Sequence, residues 1–370
     1  MLDRMRLLAV ARKEIVQLRR DPRSLILAFL LPVLLLLLFG YAITWDVNHI
    51  ALAILDQDGT ARSRELVDEF QSSGYFDIVA RLERPRETDA LLRAGRAQLV
   101  LVVPPDFAAD LDGGRTAKLQ ANLDGSDANT ATIALGYTEA IVASFARRMA
   151  SRVQVLPLRT ETRVWFNEEL KSRNMIVPGL VAVIMMIIAA MLTSLTIARE
   201  WERGTMEQLA STPVSRVELV LGKLLPYLAI GLTDVVMVSV LGVLLFRVPF
   251  RGEPVLLMVL SFFFLAGALG LGMFISAVAR SQLLATQLAM LATFMPAFLL
   301  SGFMFAIAVM PKPLQLVTYL VPARYFLTVT RGIFLKGVGM HVLYYDALLM
   351  VAFALAGLTL AVHNYRKELE

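Results

Sequence analysis

Cysteine is absent from this chain of 370 residues, which excludes disulfides, thiolate nucleophiles and cysteine metal centres. Histidine is reduced to His49, His341 and His363, each isolated, and no paired carboxylates stand in the apolar segments. Both shortages count against a membrane enzyme. Also missing is a glycine-rich loop ending in Gly-Lys-Ser/Thr, because Gly222-Lys223 runs on into leucine. No cradle for ATP phosphates is therefore expected on this chain, and no cofactor or metal of its own. Charge is scarce as well. Only 18% of residues are Asp, Glu, Lys or Arg, against about a quarter in soluble domains. The balance of +5 would suggest nucleic acid in a soluble protein, but here it reads as basic loops beside a membrane. No nucleic-acid partner is expected.

What is present is apolar: 57% of residues are hydrophobic and the mean hydropathy is +0.64. Crossing a bilayer takes about 20 apolar residues of helix. Six blocks qualify: Ser24–Ile43, Ile176–Ala198, Val217–Phe246, Val255–Val278, Gln282–Phe305 and Leu343–His363. A basic stretch before Ser24 resembles the start of a signal peptide, but the apolar block is longer than a signal core and reads as a retained first span. Arg4, Arg12, Lys13, Arg19 and Arg20 precede that span, and Arg199, Arg203, Arg216 and Lys223 lie between the second and third. By the positive-inside bias both termini are expected in the cytoplasm of a multi-pass inner-membrane protein.

Between the first two spans, Trp45 to Arg173 is polar and patterned as α/β. Ile50–Leu55, Phe76–Ala80, Leu99–Val103 and Lys118–Leu123 predict strands, and Arg62–Gln71, Glu87–Ala94 and Asn129–Met149 predict helices. Alternation of the two favours a mixed sheet covered by helices. Before the first span, Leu8, Ala11, Ile15 and Leu18 share a helical stripe, which predicts an amphipathic helix along the interface. The expected organisation is an elbow helix over 1–23 and a first transmembrane helix over 24–44. An extracytoplasmic α/β domain over 45–175 follows, then transmembrane helices two to six over 176–370, with a cytoplasmic loop at 199–216.

That loop holds the densest charge. Arg199, Glu200, Glu202 and Arg203 leave the second span, Gly204 breaks the helix, and Thr205 with Gln208 predicts a capping box around Glu207. A second box, Ser215 with Glu218, opens the third span. A capped, charged helix between two spans suits docking on a soluble partner, while an ordinary solvated loop would look similar. Other features have plain explanations. Gly267, Gly270 and Gly272 suit close packing of membrane helices better than a dinucleotide loop. Asp56-Gln57-Asp58-Gly59 lacks the later ligands of a calcium loop and reads as a turn. Asp234 stands mid-span, where a carboxylate is costly, and is either a protonated or hydrogen-bonded structural group or part of a polar translocation path. Pro296 and Ser301-Gly302 interrupt the fifth span, which predicts a kink lining a cavity and a partly re-entrant outer segment from Ala306 to Lys336.

The run from Ala198 to Pro213, with its Glu207-Gln208-Leu209 before Thr212-Pro213, resembles the cytoplasmic loop of ABC-2-type transporter permeases. Asp124-Gly125-Ser126-Asp127-Ala128-Asn129-Thr130 is similar to the outer domain of the drug-efflux branch of that family. Gly222 to Tyr227, Pro322 to Phe326 and Arg331 to Gly337 fit in order. Trp201 departs, standing where a charged or smaller residue is expected. The resemblance implies an elbow helix, six spans and an outer domain after the first. It further implies pairing with a second permease, identical or not, and a separate ABC ATPase subunit that carries ATP and Mg. A periplasmic membrane-fusion adaptor would be a further partner, and export of a hydrophobic or amphipathic drug the expected function. Two other functions stay open: export of a lipid or lipid-linked substrate, and non-transporting signalling through an outer sensory domain.

Overall fold

The computed structural model describes residues 3–42, 49–125, 128–151, 171–205 and 212–365. The chain divides into two units, Trp45–Arg163 and a second made of Met1–Thr44 with Val164–Glu370.

In the first unit, β1 (Ile50–Asp56) is followed by α3 (Ala61–Ser72), β2 (Phe76–Leu82), α4 (Arg86–Arg93) and β3 (Leu99–Val103). Then come α5 (Phe107–Asp112), β4 (Gln120–Leu123) and α6 (Ala128–Ser151). The strand order is β2-β1-β3-β4, with β1 parallel to both neighbours and β4 antiparallel to β3. The Ile-Ala-Leu-Ala-Ile-Leu run of β1 is apolar throughout because both its faces are covered. On one face Leu52 and Ile54 meet Leu66 and Phe70 of α3 and Phe145 of α6; on the other, Ala53 and Leu55 meet Leu91 and Leu92 of α4. The sheet is mixed, as its sequence predicts. The six-residue α5 had no sequence counterpart, being too short to show periodicity.

The second unit begins with α1 (Arg4–Arg19) and α2 (Pro22–Ala42) and resumes with α7 (Ser172–Glu202). It continues through α8 (Arg216–Phe246), α9 (Pro254–Ala279), α10 (Gln282–Met295), a π-turn over Pro296–Leu300, α11 (Lys312–Thr318), α12 (Pro322–Arg331) and α13 (Met340–Asn364). Among the described residues five helices are long and apolar enough to cross a membrane: α7, α8, α9, α10 with its π-turn, and α13; Ala28–Ala42 of α2 is a shorter apolar stretch. Helix α7 is the hub. It is buried without a break from Ile176 to Ala190, and α2, α8, α9, α10 and α12 all pack on it.

The break expected at Pro296 and Ser301-Gly302 falls where the sequence puts it. α10 ends at Met295, Pro296 opens the π-turn, and Gly302 follows at φ +88°. The segment after it is a short 3-10 turn (Ile307–Val309), then α11, α12 and a second π-turn over Gly332–Lys336. The α1 stripe divides between the bundle and the outside of the structure. Ala11 and Leu18 are buried, but Leu8 and Ile15 are exposed, and Val10 and Glu14 take their places inside. The side facing the bundle is chosen by a charge, not by the apolar stripe.

Glycines set the closest helix contacts. A Cβ on Gly270 would stand 2.7 Å from the Gly357 carbonyl carbon of α13, and one on Gly272 would stand 2.8 Å from Ala190 Cα of α7. The obstructing atoms are backbone and cannot turn aside. Small residues here allow van der Waals contact between helices that lipid-exposed apolar faces alone would not drive. Gly270→Val should therefore lower the stability of the purified chain by about 3 kcal/mol, the upper range for overpacking. Thermal unfolding in detergent micelles measures this; an unchanged midpoint would show the α9–α13 contact to be loose.

Candidate functional site

The charged residues that leave α7 are held by partners from elsewhere in the chain. Arg199 Nη1 donates to Asp21 Oδ2 at 2.7 Å, at the start of α2. Glu200 is 3% exposed, and its Oε1 accepts from Lys223 Nζ of α8 at 2.8 Å and Lys13 Nζ of α1 at 2.9 Å. Glu202 accepts from the Gln282 backbone N–H at 2.7 Å and from its amide side chain, at the start of α10. Trp201, the departure from the family pattern, lies under the Arg280 guanidinium, 4.9 Å from its ring centre. Among the described residues of this run, Arg203 and Gly204 are exposed without such anchors.

The break at Gly204 has a defined geometry. Gly204 N–H bonds the Trp201 carbonyl at 3.2 Å and Thr205 N–H bonds the Glu200 carbonyl at 3.1 Å, with Gly204 at φ +66°. This is a Schellman ending, in which the left-handed residue after the cap is usually glycine. Thr205 remains half-buried. Glu207 and Gln208, and with them the predicted Thr205–Gln208 capping box, lie outside the described residues. The Ser215–Glu218 box is present: Ser215 N–H donates to Glu218 Oε2 at 2.8 Å and Glu218 N–H to Ser215 Oγ at 3.3 Å. The other oxygen of Glu218 accepts from Asp3 N–H at 2.7 Å, so one carboxylate caps α8 and ties down the start of α1. Arg6 adds a bond to the Pro213 carbonyl at 2.6 Å.

Beneath this surface lies a cluster that the sequence did not reveal as a unit. Lys223 Nζ, on a side chain 1% exposed, contacts Glu14 Oε2 at 3.3 Å as well as Glu200. Tyr227 donates its hydroxyl to Glu14 Oε1 at 3.2 Å. Three helices, α1, α7 and α8, thus meet on two carboxylates and one ammonium. A signal existed in each segment: Glu14 and Lys223 are the charges that interrupt otherwise apolar helix faces.

The two other positions singled out from the sequence are on separate helices. Asp234 on α8 is fully buried, and neither of its oxygens has a hydrogen-bond partner among the described residues. The hydrogen-bonded structural alternative therefore has no bond to support it among those residues. Pro296 begins the π-turn, beside Phe294 and Phe298, whose ring centres are 5.4 Å apart; Phe298 also meets Phe39 of α2 at 5.9 Å.

Removing Lys223 strands two buried carboxylates, and breaking a buried pair from one side costs about 3–5 kcal/mol. Lys223→Met should destabilise the chain by that order in detergent unfolding. Neutralising both acids in the same protein, with Glu14→Gln and Glu200→Gln, should restore most of the loss. A triple variant no better than the single one would mean that Lys223 acts by packing alone.

The order of these elements can be compared with known proteins. A family model described as ABC-2 family transporter protein matches residues 22–363. Probable multidrug ABC transporter permease YbhS of Escherichia coli (strain K12) is 37% identical over 369 residues, covering 99% of this chain and 98% of the relative. Probable multidrug ABC transporter permease YbhR of the same organism is 32% identical over 345 residues, 92% of each chain. Inner membrane transport permease YhhJ, again of that strain, is 29% identical over 337 residues, 88% of this chain and 87% of the relative. With nearly the whole length matched in order, from the start of α2 to the last turn of α13, this chain belongs to the ABC-2 family of transporter proteins.

Proposed function

We propose that this chain is the membrane-spanning permease subunit of an ABC exporter that carries hydrophobic or amphipathic compounds, drugs among them, out across the bacterial inner membrane. The observation that carries the proposal is the end-to-end similarity to YbhS, whose name describes a probable multidrug permease. Energy comes from ATP with Mg on a separate ATPase subunit, since no phosphate-binding loop stands in this sequence. A second permease, identical or not, completes the pathway, and a periplasmic membrane-fusion adaptor would meet the outer unit.

In this proposal α2 is the first of six spans, α1 is the interfacial elbow, both termini are cytoplasmic and 45–175 is the periplasmic domain. Asp234 and the Pro296 turn belong to the translocation path. The ATPase meets the chain at the loop from Arg199 to Arg216. Within it the roles divide. Arg199, Glu200 and Glu202 anchor the loop to α2, α8 and α10 by the bonds above, so motion imposed on it passes to those helices. Arg203, Gly204, Thr205, Glu207 and Gln208 face the partner. Complementary charge there gives specificity to a contact that must form and release.

Two experiments test the arrangement. Cysteine labelling in intact cells should reach Gly113→Cys from outside and Gly204→Cys only from the cytoplasm. Labelling of both from one side would overturn the six-span topology. Gly204 at φ +66° cannot be matched by proline, whose ring fixes φ near −65°. Gly204→Pro should insert normally yet lose ATPase co-purification or substrate-stimulated ATP turnover by about tenfold or more, equivalent to about 1.4 kcal/mol of coupling. Glu207→Arg should weaken the same contact. Normal assembly and export by both variants would reduce the loop to a connector.

A further inference from the structure

A cavity of about 770 Å³ opens where the end of α1, the start of α2, the last turn of α7 and the start of α10 come together. Its lining is basic: Lys13, Arg20, Arg199 and Arg203, against one carboxylate, Asp21. Two of the four cations are already matched, Arg199 by Asp21 at 2.7 Å and Lys13 by Glu200 at 2.9 Å. Arg20 and Arg203 are exposed and have no ion-pair partner among the described residues. The cavity thus presents two guanidinium groups unmatched among the described residues, whose planar forks suit phosphate oxygens.

Its position selects the source of the phosphate. α2 starts at the cavity with Pro22, and a helix of its 21 residues is about 31 Å long, the thickness of the hydrocarbon layer. The cavity is therefore level with lipid headgroups. Directly along α2 from it runs an exposed apolar row, Ile26, Leu30, Leu34 and Leu38, each about half exposed. A soluble anion would use only the arginines, and an acidic protein surface would gain nothing from the row. We propose that this cavity binds an anionic phospholipid, its phosphate between Arg20 and Arg203 and its acyl chains along the α2 row. The site lies outside the translocation path assigned above and requires only that these helices lie in a membrane. A bound lipid would bridge α1 to the end of α7, beside the loop that the ATPase is proposed to contact.

The test is native mass spectrometry of the purified full-length chain given equal amounts of phosphatidylglycerol and phosphatidylcholine with identical acyl chains. With two guanidinium groups facing the anionic headgroup, wild type should retain phosphatidylglycerol about thirtyfold over phosphatidylcholine. R20Q/R203Q should lose that preference, and R20K/R203K should keep most of it. Equal retention of the two lipids by wild type overturns the proposal without recourse to any variant. So does displacement of the lipid by an equal concentration of inorganic phosphate, which would make this a soluble-anion site. An unchanged lipid preference in R20Q/R203Q, with loss of ATPase co-purification, would assign the arginines to the protein partner instead.

Discussion

An ammonium group with 1% of its side chain exposed has to find its counter-charge inside the protein, and Lys223 finds two. Glu14 arrives from α1 and Glu200 from α7, so the lysine of α8 fixes the spacing of all three helices at once. Hydrophobic contact could not do this in a membrane, where lipid tails solvate apolar side chains as well as a neighbouring helix does. A buried ion pair adds little net stability over apolar packing, but it tolerates no alternative arrangement once made. The remaining contacts of this end follow from it. With α1 held against α8, Asp3 reaches Glu218 and Arg6 reaches Pro213; with α7 held, Arg199 reaches Asp21.

Both edges of the loop between α7 and α8 are therefore fixed. One edge is the Schellman ending at Gly204, the other the Ser215–Glu218 box, and each is tied through a carboxylate to a third element. A partner pressing on the residues between these edges would act on anchored ends, not on a slack tether. The surrounding charges serve two purposes that sequence alone merges: some hold the frame and some remain available.

That merging explains what was and was not legible in the sequence. The long spans were plain because each is a continuous apolar run, and the strands of the Trp45–Arg163 unit because short apolar or β-branched runs ended at turn residues. The Ser215 box was legible because both of its halves lie within four residues. Glu14 was hidden for the opposite reason. Its partner is 209 positions away, and no local period announces such a pairing. The stripe of α1 marked an amphipathic helix, but nothing in it told that the side packed on α8 would carry Glu14. In the same way Glu200 and Glu202 look like solvated charge in a row of letters. Asp234 was conspicuous in the sequence, but that neither of its oxygens is bonded among the described residues could be learned only from the fold.

The seam between α7 and α9 carries one more consequence. Thr193 Oγ1 donates to the Leu269 carbonyl at 2.8 Å, and Ser276 Oγ accepts from the Ile197 and Ala198 backbone N–H groups at 3.0 and 2.9 Å. Gly272 brings the two backbones into contact between these bonds, and Gly270 joins α13 to the same block. Three long helices are thus joined by direct backbone contacts, two of them by hydrogen bonds as well. Such a block behaves as a lever. Its central member has 31 residues and is about 46 Å long, so a tilt of about 5° at one end moves the other by roughly 4 Å. A small displacement at the charged end, where Arg199 and Glu202 also hold the starts of α2 and α10, would be carried along the block as rotation.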